Sequence, residues 1–121
     1  ERWGEAESHV STALAIAKDR GDPLRRADGL KFLGMIQRAR GELSQANESL
    51  NDAKTLAEES EDVLLAAEVF RELGETHAHK GEPEIAREFF ERAIERFTEM
   101  SAELDATAVQ ERLDGVTGGV Q

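Results

Sequence analysis

A chain of 121 residues is long enough for one ordinary domain and short for two. Its 26 Asp and Glu against 15 Lys and Arg, a net charge of -11, argue against nucleic acid and anionic membranes as partners, because both need a basic face. There is no cysteine, hence no disulfide framework and no thiolate chemistry, which fits a reducing, cytoplasmic setting.

No apolar run approaches the roughly 20 residues of a membrane-spanning helix, and no signal peptide is present. The chain opens on Glu1 rather than Met and reads as a single domain cut from a larger protein. Helix formers recur throughout, with two prolines and no tyrosine, so the expected fold is all-α. Taken in order, a first helix is expected over 3–19. Asp22-Pro23 then starts a helix over 23–40 that Gly41 ends, and a partner follows over 43–59. The next pair runs over 62–80 and 83–100, with Gly81 ending the first member and Pro83 opening the second. Ser101 is the expected N-cap of a last helix over 102–115, and residues from Gly115 onward, with Gly118 and Gly119, are expected to fray.

The order hides a copy. Shifted by 40 residues, Gly41 falls on Gly81, Gly34 on Gly74, and Leu33 on Leu73 and Leu113. Ala6, Ala46 and Ala86 coincide, as do Ala13, Ala53 and Ala93, while Val10, Leu50 and Phe90 form an apolar column. Ala46, Leu50, Ala53 and Leu56 share one helix face. A glycine inside a helix costs about 1 kcal/mol relative to alanine. Gly34 and Gly74 therefore point to close approach by a facing helix, with Ala46, Ala53, Ala86 and Ala93 buried at the crossings. The unit is a helical hairpin: a helix of type A, a Gly-Glu turn, and a helix of type B. Types B, A, B, A, B and A alternate along the chain.

Leu30-x-x-Leu33-Gly34, Gly41, Ala46, Leu50 and Ala53 resemble the tetratricopeptide repeat, and Phe70-x-x-Leu73-Gly74, Gly81, Ala86, Phe90 and Ala93 resemble it again. The 40-residue period is similar to the longer variety in bacterial regulatory and signalling proteins and in GoLoco-motif scaffolds. The resemblance implies a superhelix, or solenoid, of about six antiparallel helices that binds protein segments on a concave groove lined by A helices, and no enzyme activity. It places Asp28, Lys31, Phe32, Met35 and Arg38 in that groove from the first A helix. The second contributes Glu68, Arg71, Glu72, Glu75 and His79, and the third Glu111 and Arg112. The family's clamp for carboxylate-ended tails uses Asn where Met35 and Glu75 stand here.

Catalysis has no foothold in the residues. His77 and His79 are two apart and point to different sides of a helix, so they are not a metal pair, and His77 falls in a core column. No phosphate loop, nucleophile motif or cofactor signature is present. The expected function is therefore a protein-interaction module within a signalling or transcription-regulatory protein; the alternative is a structural or oligomerising spacer with no ligand. In the first reading Lys31, Arg38 and Arg71 grip acidic side chains and Phe32 and Met35 supply an apolar anchor. Replacing the three cations together should then abolish capture and leave stability nearly intact. Self-association is expected through exposed terminal helices, with Trp3, Val109, Leu113 and Val116 as the contact residues.

Overall fold

Every break in helical pattern becomes a turn in the computed structural model, which describes residues 2–118. Six helices follow one another: α1 (Arg2–Asp19), α2 (Pro23–Ala39), α3 (Leu43–Glu59), α4 (Val63–His79), α5 (Pro83–Glu99) and α6 (Glu103–Gly118). Consecutive helices pack together throughout, and α2 also touches α4.

The links repeat at half the sequence period. Gly21, Gly41, Glu61, Gly81 and Ser101 all take positive φ, between 56° and 82°, at 20-residue intervals. The next N–H in each link, from Asp22, Glu42, Asp62, Glu82 and Ala102, donates to a carbonyl five residues back at 2.8–3.1 Å. This closure satisfies carbonyls that the helix end leaves open. Only two A helices gain a side-chain N-cap: Asp22 accepts from the Arg25 N–H and Asp62 from the Leu65 N–H. Ser101 was expected to cap the last helix, but it is the left-handed residue that ends α5. Ala102 stands at the cap position instead, its carbonyl accepting from the Ala106 N–H.

Packing explains the internal glycines. A Cβ on Gly34 would lie 2.6 Å from Leu50 Cγ, and one on Gly74 would lie 2.6 Å from Phe90 Cδ1 and Cε1. Helices α3 and α5 thus each lay one large side chain over the glycine of the A helix before them. Ala46, Ala53, Ala86 and Ala93 are fully buried beside them, as their columns predict. Phe70, Phe90 and Phe97 lie in the same core, each contributing about 1.5–3 kcal/mol by burial.

The ends differ from expectation. Val109 and Leu113 are buried in the core shared with α5, and Val116 packs partly against it. They therefore offer no sticky end. Residues 115–118 continue α6 rather than fraying, and Gly119 lies outside the described residues. The outward columns of α6 are polar: Thr107, Gln110 and Asp114 stand where α4 has Ala67, Phe70 and Gly74. At the other end Trp3, Ile16, Leu24 and Phe32 are exposed, while on α6 the exposed large apolar side chain is Leu104.

Candidate functional site

Three A helices, α2, α4 and α6, carry the residues that the repeat assigns to a binding groove. In the structure these residues first of all bind one another. Lys31 is buried, and its Nζ lies 3.1 Å from Glu68 Oε1 on α4 and 3.3 Å from Asp28 Oδ1 on its own helix. The same ammonium sits 4.6 Å from the centre of the Phe32 ring. Arg38 reaches α4 as well: Nη2 lies 2.8 Å from Glu72 Oε1, and Nη1 donates to the Glu72 carbonyl at 3.2 Å. Arg71 Nε donates to Glu72 Oε2 at 3.1 Å. Glu72 is only 4% exposed, so these two guanidiniums are its compensation in a poorly solvated place. The ladder ends at α6, where Arg112 Nε donates to Glu75 Oε1 at 2.6 Å.

This pairing corrects the expected role of the cations. Lys31, Arg38 and Arg71 are joined to Glu68 and Glu72, not held free for a ligand; Lys31 and Arg38 brace α2 against α4, and Arg71 pairs with its neighbour Glu72 within α4. Replacing all three together would strand Glu72, so that change cannot leave stability intact. Of the remaining predicted residues, Met35 is half-buried and Phe32 is exposed. Glu111 and His79 are also exposed, and His79 Nδ1 lies 2.8 Å from the Glu75 carbonyl.

The open apolar surface lies toward the N-terminal halves of the A helices. A trough of about 620 Å³ runs from Val10, Ala13 and Ile16 on α1, across Leu24 and Phe32 on α2, to Leu64 on α4. Ile16, Leu24, Phe32 and Leu64 are all 40–49% exposed. His9, Arg20, Arg25, Asp28, Asp62 and Glu68 also line it, so its polar groups carry both signs of charge. Sequence reasoning named Phe32 and Asp28 but missed Ile16, Leu24 and Leu64. The signal was present: Leu24, Leu64 and Leu104 share one 40-residue column, and all three are exposed.

His77 is buried in the core column, where its ring stacks on Phe89 at 5.4 Å between centroids. Its Nδ1 lies 2.8 Å from Glu82 Oε1 and ties the end of α4 to the start of α5. That hydrogen bond holds the Glu82 carboxyl below its ordinary value, helped by the charge of Lys80. No group of three or more His, Cys, Asp or Glu among the described residues is placed to hold a metal ion. No described helix is long and apolar enough to cross a membrane.

A stack of helical hairpins, each closed by the same left-handed turn, defines the chain as an α-solenoid. Residues 32–99, more than half of the chain, match the tetratricopeptide repeat, and the chain belongs to that family. Family members generally act as non-catalytic modules for protein–protein interaction. A search of curated proteins returned no match.

Proposed function

We propose that this domain binds a segment of another protein over the A-helix face, with apolar side chains of the segment entering the trough at Phe32, Leu24 and Leu64. One observation carries the reading: three large apolar side chains from two successive repeats stand exposed around one trough instead of joining the core. Exposed apolar surface gathered in this way, with a polar rim, marks an interaction site. Asp28, Glu68 and Arg25 supply that rim, so the segment carries mixed charge. Met35, Arg38, Arg71, Glu75, His79, Glu111 and Arg112 line the rest of the face, where the pairs of Arg38 and Arg71 with Glu72 and of Arg112 with Glu75 set its shape. The parent protein is a signalling or transcription-regulatory protein of the cytoplasm.

The alternative is a spacer with no ligand. The internal pairing of Lys31, Arg38, Arg71 and Arg112 favours it, because those groups need no outside partner. Selection of a displayed peptide library on the immobilised chain separates the two. A binding module enriches peptides that bind the free chain and lose about tenfold or more in affinity with Phe32→Ser and Leu64→Ser. A chain that enriches nothing, or whose ligands ignore both changes, is a spacer or binds elsewhere.

A further inference from the structure

One 40-residue column holds leucine in all three copies, yet the core leaves it out. Leu24, Leu64 and Leu104 are each the second residue of an A helix, and they are 40%, 49% and 88% exposed. A single exposed leucine is ordinary surface, but three in register form a row. Leu64 decides what kind of surface the row is. Its helix, α4, has α2 packed on one side and is tied to α6 on the other, where Arg112 Nε lies 2.6 Å from Glu75 Oε1. With stack neighbours on both sides the leucine still stands open. Further repeats at either end of the stack would therefore leave the column uncovered. An occupant of the row has to lie across the A helices, not beside the first or the last of them.

The charge next to the row is negative. Leu24 and Asp28, and likewise Leu64 and Glu68, are four residues apart and share a helix face. Asp28 and Glu68 both lean on the one ammonium of Lys31, at 3.3 and 3.1 Å. The three groups together keep one unit of negative charge, and both carboxylates are partly open to solvent. On α6, exposed Glu103 and Asp105 flank Leu104. The cation beside Leu24, Arg25, is paired with Asp22 at 3.2 Å. A ligand that lays apolar groups on the leucines meets carboxylates beside them, which favours cations between those groups.

Spacing selects the ligand's backbone. Helices packed side by side, as α2 and α4 are, have axes about 8–10 Å apart. Leucines at equivalent positions of successive A helices recur at about that interval. An extended strand returns to the same side every two residues, about 6.6 Å. An α-helix does so every seven, about 10.5 Å. Polyproline II returns every three residues, about 9.3 Å, and falls within the interval. Its backbone stays solvated, so it can lie on side chains that offer no strand to pair with.

We propose that the leucine row docks a polyproline II segment of a partner protein, with an apolar side chain at every third position resting on Leu24, Leu64 and Leu104, and with lysine or arginine between them facing Asp28 and Glu68. The proposal rests on the reading of the chain as a protein-binding module. It names the ligand's conformation and charge and carries the contact beyond the trough to α6.

The probe is an end-capped synthetic peptide, Leu-Pro-Lys-Leu-Pro-Lys-Leu, whose prolines fix their own backbone angle and hold each preceding leucine extended. Its control contains the same residues rearranged so that leucine falls at every second position. On titration, amide resonances of Leu24, Leu64 and Leu104 should shift saturably with the probe and about tenfold more weakly with the control. Leu104→Ser, at an exposed position outside the trough, should weaken probe binding about threefold or more and leave the melting temperature nearly unchanged. Glutamate in place of both lysines of the probe should abolish binding. Four results overturn the inference: no saturable binding up to about 1 mM, equal binding of probe and control, binding indifferent to Leu104→Ser, or binding indifferent to the lysine replacement. Concentration-dependent self-association that Leu104→Ser removes would assign the row to a second copy and overturn it too. Displayed peptides that depend on Phe32 and Leu64 but not on Leu104 would sink the leucine row while leaving the groove reading in place.

Discussion

Alanine in place of glycine should have opposite effects at two positions that look alike in the sequence. Gly74 and Gly115 both lie inside helices. At either one, alanine reduces the freedom of the unfolded chain and improves helix propensity by about 0.5–1 kcal/mol. Around Gly115 the new Cβ meets only Arg112 Nη1, at 4.0 Å, so that gain is kept. Around Gly74 it would stand 2.6 Å from two carbons of the Phe90 ring and 3.0 Å from a third. Phe90 is fully buried and has no open side to move toward. Overpacking of this kind costs about 1–3 kcal/mol. Gly74→Ala is therefore expected to destabilise by up to about 2 kcal/mol, and Gly115→Ala to stabilise by about 0.5–1 kcal/mol. In a domain of this size each kcal/mol moves the melting temperature by about 3–6 °C, which circular dichroism reads easily. Phe90→Ala supplies the internal control. It costs about 3–5 kcal/mol alone, but in its presence the added methyl at position 74 enters vacated space and Gly74→Ala becomes favourable. Equal effects of alanine at 74 and 115, or no change of sign with Phe90→Ala, would refute the account of why Gly74 is glycine.

Arg38→Ala leaves buried Glu72 with Arg71 alone and should cost about 2–3 kcal/mol in urea unfolding; adding Glu72→Gln should recover most of it. Because the Glu82 carboxyl is held low in the folded state by His77, its contribution to stability is full above the ordinary value of 4.5 and is lost as pH falls through the lower folded value. Urea midpoints across acid pH should therefore show wild type ahead of Glu82→Gln above that window and level with it below; a constant gap would contradict the pairing. Glu61 and Ser101 hold left-handed backbone that Gly41 and Gly81 hold without strain, so Glu61→Gly and Ser101→Gly should each stabilise by about 0.5–1 kcal/mol. Gly41→Ala should move thermal stability in the other direction, and a neutral result at all three positions would dismiss the strain.

What the chain states about itself is what repeats. The 40-residue columns were enough to read six helices, the hairpin as unit, the glycine ends at Gly41 and Gly81, and the buried alanines. Each of these depends on neighbours within one helix or one turn, where spacing along the chain is spacing in space. The cation roles at Lys31, Arg38 and Arg71 were not legible in the same way. Their partners lie 37, 34 and one residue away, and the first two pairings need α2 and α4 side by side at one particular axial offset. Opposite charges in successive A helices hinted at it, but a column alignment sets equivalent residues together, not residues that touch. The same limit hid the burial of Val109 and Leu113, which α5 covers, and the exposure of Ile16, Leu24 and Leu64, which no described helix does. Local pattern determines which helices form and how each one ends. Which charges are neutralised, and which apolar faces stay open, is decided only when helices from different repeats come together.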